Sequence, residues 1–253
     1  MTAASAAPVL EAAGVSRRFG GLAALDDVSF SVPEGQILGV IGPNGAGKST
    51  FVNIVTGHLK PTAGRVSVNG NDVTGAKPWT VAKAGVARTF QIVKPFRGMT
   101  VRENVAVGGL YASKRAPTMA RALAAAEEAL DRVGLADKAA MVPGELSVAD
   151  ARRLELAKAL ALRPRLLLLD EVMAGLRPAE IEPSLELIGS LRSEGITILV
   201  IEHVMRAILA VSDRVLVLHE GRVLTDGAPR DVLSDPRVIE AYLGHRYAQR
   251  RKG

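Results

Sequence analysis

The sequence predicts an α/β fold in which helices cover a largely parallel sheet. Strand and helix signals alternate along most of the 253 residues, as they do when helices connect parallel strands. Strongly apolar segments at residues 166–169 and 196–201 are typical of strands buried on both faces. A third apolar segment, Ile37–Ile41, leads directly into a glycine-rich loop. These features together indicate one α/β core.

The composition is that of a folded domain from a reducing compartment. Apolar residues make up 48% of the chain, which is enough to bury a full core. The lack of cysteine excludes disulfides and thiolate metal sites and fits a cytoplasmic location. Residues 1–10 lack the charged start and long apolar centre of a secretory signal, and no apolar run is long enough to cross a bilayer. We therefore expect a cytoplasmic protein without a membrane span.

The net charge of +6 raises the question of a nucleic acid or an anionic membrane surface as a partner. The basic residues are scattered, apart from short groups at residues 17–18, 152–153 and 250–252. Aromatic residues make up only 4% of the chain, which leaves few platforms for base stacking. A solvated surface is the better explanation, and we expect no nucleic-acid partner.

The N-terminal region predicts an antiparallel portion. Residues 10–18 and 25–32 have the pattern of strands. Residues 66–68 are followed by Asn69 and Gly70, a pair suited to a tight primed turn, which predicts a hairpin.

The pattern becomes helical after Gln91. Apolar residues recur at helical spacing and stop at Gly134; they are Met119, Leu123, Ala126, Leu130 and Val133. A second helical set ends before Pro164 and consists of Leu154, Ala157, Leu160 and Ala161. The sequence thus predicts one domain over residues 1–253, with a core at 1–91 and 164–253 and a helical subdomain inserted at about 92–163.

The core resumes with the apolar strand at 166–169. Pro178 is well placed as the first residue of a helix, and Gly195 closes that helix before the strand at 196–201. Residues 215–218 and 223–225 predict a second hairpin around Glu220 and Gly221, followed by a short helical tail.

Residues 42–50 read Gly-Pro-Asn-Gly-Ala-Gly-Lys-Ser-Thr, a complete match to the loop that cradles nucleoside triphosphates. Its glycines let successive N–H groups face the phosphates, and a helix that starts near Lys48 directs its positive end toward them. We expect Lys48 to reach the outer phosphates and the Ser49 hydroxyl to bind Mg²⁺. The sequence therefore predicts a core that binds a nucleoside triphosphate at this loop. The expected nucleotide-binding residues of the loop are Gly42, Pro43, Asn44, Gly45, Ala46, Gly47, Lys48, Ser49 and Thr50.

Two carboxylates follow the four-leucine strand. Asp170 and Glu171 would lie at the sheet edge where ligands of open α/β folds bind. Asp170 is expected to hold Mg²⁺, directly or through water, and Glu171 to orient or deprotonate the attacking water.

With these motifs in place, nearly the whole chain resembles the ATP-binding cassette (ABC) family. The resemblance implies a P-loop NTPase (RecA-like) core that binds ATP and Mg²⁺. It also implies that Phe19 stacks on adenine and that Gln91 senses Mg²⁺ and water. It also implies that His203, which follows Glu202 after the strand at 196–201, contacts the γ-phosphate as a catalytic residue.

Within that family, several segments resemble the ATPase subunits of branched-chain amino acid uptake systems. They are residues 85–91 (Gly-Val-Ala-Arg-Thr-Phe-Gln), 99–104 (Met-Thr-Val-Arg-Glu-Asn), 174–176 with Pro178, and 241–244 (Ala-Tyr-Leu-Gly). A similar cassette serves lipopolysaccharide export, and the Arg-Thr-Phe-Gln sequence favours uptake.

Two segments differ from the family pattern. The signature, usually Leu-Ser-Gly-Gly-Gln, reads Leu-Ser-Val-Ala-Asp at residues 146–150. In the family this segment binds the γ-phosphate held by a partner's loop, so the side chains and the unpaired negative charge of Asp150 are expected to weaken the half-site. Alternatively, Ser147 caps the following helix and presents the same N–H groups without penalty. In addition, Val172 replaces the usual Pro and Arg177 stands where many members carry Asp.

The resemblance implies an ATP-hydrolysing subunit that dimerises head to tail with a copy of itself or a second cassette. It would drive permease subunits on the inner face of the membrane and depend indirectly on a periplasmic or extracellular solute-binding protein. The alternatives are a lipopolysaccharide-export ATPase, a soluble family member that acts on ribosomes or DNA, and a regulatory cassette that binds ATP but barely hydrolyses it. The transported solute cannot be read from the sequence, because a cassette does not contact it.

Overall fold

The computed structural model describes residues 8–90, 93–111, 118–202 and 204–243. Within these ranges the strands form two sheets, and helices cover the larger one. No helix in the described ranges is long and apolar enough to span a bilayer.

The smaller sheet is antiparallel, as the N-terminal pattern predicts. Its strand order is β2-β1-β4-β5. The strands are β1 (Leu10–Phe19), β2 (Leu22–Val32), β4 (Ala63–Val68) and β5 (Asn71–Asp72). Asn69 and Gly70 both adopt positive φ between β4 and β5, as the predicted hairpin requires.

The larger sheet has the order β10-β9-β3-β8-β7-β6 and is parallel except for β10. Its strands are β3 (Ile37–Ile41), β6 (Val86–Arg88), β7 (Leu166–Asp170), β8 (Thr197–Ile201), β9 (Arg214–His219) and β10 (Arg222–Gly227). Strands β3, β7 and β8 are buried along their whole length. The carboxyl ends of β3, β7 and β8 therefore meet at one edge of the sheet.

Helices connect the strands and cover the larger sheet. They are α1 (Lys48–Val55), α2 (Pro78–Lys83), α3 (Val101–Tyr111), α4 (Met119–Arg132), α5 (Val148–Leu160), α6 (Pro178–Ser193), α7 (Met205–Val211), α8 (Pro229–Ser234) and α9 (Pro236–Leu243). Helix α3 packs against α4 and α5, and this group forms the helical part expected after the first half of the core. Helices α4 and α6 end before Gly134 and Gly195, as predicted.

The four leucines of β7 show why both faces of this strand must be apolar. Leu167 and Leu169 belong to one buried cluster, which includes residues of α3, α4 and α5. Leu166 and Leu168 point the other way and belong to a second cluster, which includes α1 and the smaller sheet. Because side chains alternate along a strand, β7 joins the two halves of the core.

Candidate functional site

The glycine-rich loop connects the end of β3 to the start of α1. Gly42 and Gly47 lie on this loop with φ of 155° and 103°. A Cβ on Gly42 would lie 2.1 Å from the Leu218 carbonyl oxygen, and one on Gly47 would lie 2.6 Å from the Ala24 carbonyl oxygen. Both positions therefore require glycine, since any side chain would displace neighbouring backbone.

Lys48, the first residue of α1, folds its side chain back over the loop. Its Nζ donates hydrogen bonds to the carbonyl oxygens of Gly42 (2.5 Å) and Pro43 (3.0 Å). Burial lowers the pKa of Lys48 from its ordinary value of 10.5, while the charges of Glu171 and Asp170 oppose that shift. The ammonium group is thus partly desolvated above the loop, in a position where phosphate oxygens would stabilise its charge.

The rest of the loop is arranged for ligand access. Asn44 and Gly45 are exposed, and Ala46 is buried beneath them. Ser49 is exposed in the first turn of α1, and Thr50 is half-buried beside it. Free N–H groups and hydroxyls at a helix start suit an anion and the cation that accompanies it.

Asp170 and Glu171 lie at the end of β7, beside β8. Asp170 is buried, and its N–H donates to Thr89 Oγ1 at 3.3 Å. Glu171 has a positive φ of 50°, and its N–H donates to the Ile201 carbonyl oxygen at 2.9 Å. A left-handed conformation is uncommon for a long side chain, and residues in it occur at turns and cluster at functional sites.

The structure adds Arg88, which sequence reasoning did not single out as a site residue. Its Nη2 lies 2.6 Å from Asp170 Oδ2, and both side chains are nearly buried. Its Nη1 donates to Asn53 Oδ1 on α1 at 2.7 Å. The contacts depend on the pairing of β6 with β7, and β6 is only three residues long. The sequence offered one indication that Arg88 belongs to the site, which is its position in the Arg-Thr-Phe-Gln segment.

Phe19 ends β1 with 46% of its surface exposed. The guanidinium of Arg17 lies 4.7 Å from the centre of the Phe19 ring. A cation on one face of an aromatic ring leaves the other face available for stacking.

Ser147 and Asp150 correct one expectation about the altered signature. Asp150 N–H donates to Ser147 Oγ at 3.1 Å, so Ser147 caps α5 as predicted. The Asp150 carboxylate is paired, however: it accepts from Lys138 Nζ (2.7 Å) and Ser147 Oγ (2.8 Å). The expectation of an unpaired negative charge at Asp150 was therefore wrong. Val148, by contrast, is exposed in the first turn of α5.

Two predicted site residues, Gln91 and His203, lie outside the described residues. Glu202, which precedes His203 in the sequence, is buried, and its Oε1 accepts from Met173 N–H at 2.9 Å. This bond connects the end of β8 to the segment that follows Glu171. Arg177 is exposed and forms hydrogen bonds with Glu180 at the start of α6.

A groove of about 860 Å³ lies beside the Asp170–Arg88 pair. Arg88 and Phe90 form part of its wall, together with residues of α2, α3 and α5. Two aromatic side chains on its rim, Trp79 and Tyr111, are 62% and 66% exposed. The groove also contains the buried carboxylate of Glu155, which Lys158 neutralises at 2.7 Å. Exposed apolar surface that lines a groove is typical of binding sites, so this groove is a candidate binding surface.

Comparison with known proteins defines the class of the chain. The family model described as ABC transporter matches residues 25–174, which is more than half of the chain. The chain therefore belongs to the ABC transporter family, and it is a nucleotide-binding ATPase of that family. A second model, described as branched-chain amino acid ATP-binding cassette transporter, matches residues 222–248.

Its relatives are more specific. The chain is 40% identical to the high-affinity branched-chain amino acid transport ATP-binding protein BraF of Pseudomonas aeruginosa, over 94% of this chain and 98% of the relative. It is also 40% identical to LivG of Escherichia coli, with the same coverage. The probable LivG of Methanocaldococcus jannaschii is 34% identical over 93% of this chain and 97% of that protein.

Solved structures agree with this classification. A nucleotide-free ATP-binding cassette from an ABC transporter has a TM-score of 0.86 at 33% identity, covering 94% of this chain and 100% of that chain. The ADP conformation of such a cassette gives the same values. A dimeric cassette in a post-hydrolysis state with ADP and phosphate has a TM-score of 0.78 at 25% identity, over 87% of this chain and 99% of that chain. The predicted P-loop NTPase fold is thereby confirmed.

Proposed function

We propose that this cassette hydrolyses ATP to drive the import of branched-chain amino acids, or of related small amides and acids, through a membrane permease. The observation that supports the chemistry best is the placement of Lys48 Nζ over its own loop, where burial lowers its pKa and the charges of Glu171 and Asp170 oppose that shift. Cationic and anionic groups thus converge at one sheet edge, as phosphoryl transfer requires. The choice of solute is supported by the 40% identity to BraF and LivG.

The proposed roles follow the chemistry of each group. Lys48 neutralises charge on the outer phosphates, and Glu171 orients or deprotonates the attacking water. His203 contacts the γ-phosphate, and Phe19 stacks on the adenine. The loop residues 42–50 surround the phosphates with N–H groups. Ser147 belongs to the half-site that this chain offers to a partner's nucleotide.

The donor set suits Mg²⁺. The described residues contain no group of three or more His, Cys, Asp or Glu side chains that could hold a metal ion alone. Mg²⁺ retains several waters and is usually bound by one or two carboxylates together with substrate phosphates. Ser49 and Asp170, with Gln91, would hold the ion, which would neutralise charge that develops on the phosphates.

The permease is proposed to occupy the aromatic groove. Trp79 and Tyr111 expose apolar area on its rim, and a membrane subunit with an apolar cytoplasmic segment would cover that area. The cassette would then work on the inner face of the membrane. It would pair head to tail with a copy of itself or a second cassette and receive solute indirectly from a binding protein outside the membrane.

Uptake of labelled leucine, isoleucine and valine tests the solute. A strain that lacks this gene should lose uptake, and the parental gene should restore it while the Lys48→Ala variant should not. Normal uptake in the deletion strain would exclude these solutes, and a defect in the outer membrane instead would favour the lipopolysaccharide-export alternative. Uptake of an unrelated sugar serves as the control.

A further inference from the structure

We propose that Arg88 is a positioning residue for ATP hydrolysis: it holds the Asp170 carboxylate in place and joins it to the helix that follows the phosphate loop. This inference rests on the proposed role of Asp170 as a ligand for Mg²⁺. Arg88 itself would touch neither the nucleotide nor the ion.

The Arg88 guanidinium contacts two different elements with its two terminal nitrogens. Nη2 lies 2.6 Å from Asp170 Oδ2, and Nη1 lies 2.7 Å from Asn53 Oδ1. Asn53 is on α1, the helix that begins at Lys48. One rigid, planar group therefore fixes the end of β7 relative to the phosphate-loop helix.

Among the described residues, the Arg88 side chain forms its hydrogen bonds through its two terminal nitrogens alone. Arg88 Nε is buried and has no hydrogen-bond partner in that part of the chain. The Phe90 ring lies 5.2 Å from the guanidinium carbon. The head group is thus confined between an aromatic ring and two oxygen acceptors, which leaves it a single orientation.

The Arg88–Asp170 ion pair is nearly buried, which limits what it can add to the stability of the fold. The two side chains are only 12% and 10% exposed, and desolvation of a buried ion pair offsets most of its Coulomb attraction. Replacement of a buried ion pair by apolar residues of similar volume is often neutral or stabilising. Stability alone thus does not explain a charged pair at this place, whereas the need to aim one carboxylate oxygen does. Because Arg88 engages Oδ2, Oδ1 is left for the ion or one of its waters.

Arg88→Lys is the central test, because an ammonium retains the charge but cannot hold both partners in the same fork. We expect kcat for ATP to fall about tenfold or more, since small misplacements of catalytic groups have large effects on rate. KM, and ATP binding measured in metal-free buffer with a chelator, should stay near parental values because the loop and Lys48 are unchanged. Arg165, which forms an exposed pair with Glu34 at the other end of β7, supplies the matched control Arg165→Lys.

Asn53→Ala provides the second test, because it removes one arm and leaves the Arg88–Asp170 contact intact. Asn53→Ala should also lower kcat. The double variant Arg88→Lys/Asn53→Ala should be no slower than Arg88→Lys alone, because both changes affect the same contact network. Thermal unfolding of the parental protein, the two single variants and the double variant in metal-free buffer should show the same pattern: the losses of stability should not add. Parental kcat in Arg88→Lys, or additive effects on rate and unfolding, would overturn the proposal.

If Arg88→Lys does not fold, the Asn53→Ala variant alone tests the role of Arg88. A parental kcat in Asn53→Ala would then overturn the inference. A parental protein without any Mg²⁺-dependent ATPase activity would instead refute the proposed function. The unfolding cycle in metal-free buffer would still report on the Arg88 contacts in that case.

Discussion

Lys138 Nζ lies 2.7 Å from Asp150 Oδ2, so the acidic residue at the end of the altered signature is neutralised within the helical part of the molecule. Ser147 Oγ donates to the same carboxylate oxygen and also accepts from Asp150 N–H. The Asp side chain thus completes the start of α5 instead of facing a phosphate as a free charge. This arrangement supports the view that the replacement is a variant without penalty.

Restoring the usual glycine and glutamine at positions 149 and 150 is therefore expected to leave the ATPase rate unchanged or lower it. Asp150→Gln removes the ion pair with Lys138, and we expect it to destabilise the protein by roughly 1 kcal/mol. Denaturant unfolding and steady-state hydrolysis measure the two effects. Lys138→Met should destabilise the protein by a similar amount. The double variant Lys138→Met/Asp150→Gln should be no less stable than either single variant. A faster restored protein would show that the native signature does weaken the half-site.

The same pair predicts a pH dependence of stability. Burial by itself raises the pKa of Asp150, but hydrogen bonds from Lys138 and Ser147 outweigh it and hold this pKa below its ordinary value of 3.8. Because the pKa of Asp150 is lower in the folded protein than in the unfolded chain, its ionised carboxylate stabilises the fold. This stabilisation is complete above the unfolded-state pKa and is lost as pH falls through the folded-state pKa.

The stability difference between the parental protein and Asp150→Asn should accordingly be constant from pH 7 to about 5 and shrink below about pH 4. Urea unfolding at several pH values measures it. Other acidic groups titrate in both proteins and cancel in the difference. A difference that is independent of pH down to pH 3 would contradict the pairing.

Much of the fold was predictable because its strands are marked by local patterns. The apolar strands β3, β7 and β8 and both hairpins were recognised from runs of residues and turn pairs, which need no knowledge of neighbours. Strand β6 and helix α2 were missed, because three and six residues are too few to establish a period.

The site was predictable to the extent that motifs are contiguous. Residues 42–50 are contiguous and form the loop after β3 together with the first turn of α1. Asp170 and Glu171 lie at the end of one strand, so the placement of both groups was evident from the sequence. The partners of the charged groups were not: Arg88 and Asp170 are 82 positions apart, and Lys138 is 12 positions from Asp150. Such contacts depend on strand order and loop paths that no local pattern encodes. The roles of all the site residues in binding and hydrolysis stay predictions, those of Lys48, Asp170 and Glu171 as much as those of Phe19, Ser49, Ser147, Gln91 and His203.

Lys48→Ala should abolish ATP hydrolysis and weaken ATP binding. The ammonium is already placed above the loop by Gly42 and Pro43, so its loss removes a preorganised charge. We expect at least a hundredfold loss of kcat/KM, measured by phosphate release. Lys60, which is exposed, provides the control Lys60→Ala. Parental activity in Lys48→Ala would remove the basis for the proposed site.

Glu171→Gln should separate binding from chemistry. The substitution keeps the size of the side chain and the positive-φ backbone but removes the base, so ATP should bind while turnover falls by roughly a hundredfold or more. ATP-dependent dimers should then accumulate, as measured by gel filtration. The matched control is Glu182→Gln on α6, an exposed carboxylate. If Glu171→Gln hydrolyses ATP at the parental rate, water activation belongs to another group, and His203 is the next candidate.

The rim aromatics of the groove should determine how well the permease retains the cassette. Trp79→Ser and Tyr111→Ser each remove a large exposed ring, and truncation of an interface aromatic that costs about 1.4 kcal/mol weakens binding about tenfold. Co-purification of the cassette with tagged permease subunits, at matched expression, measures the loss. Leu209 on α7 is also exposed and apolar but does not line the groove, so Leu209→Ser is the control. If both rim variants are retained as well as the parental cassette, the permease contact lies elsewhere. If the two rim variants lose retention and Leu209→Ser does not, the result supports docking in the groove beside Arg88.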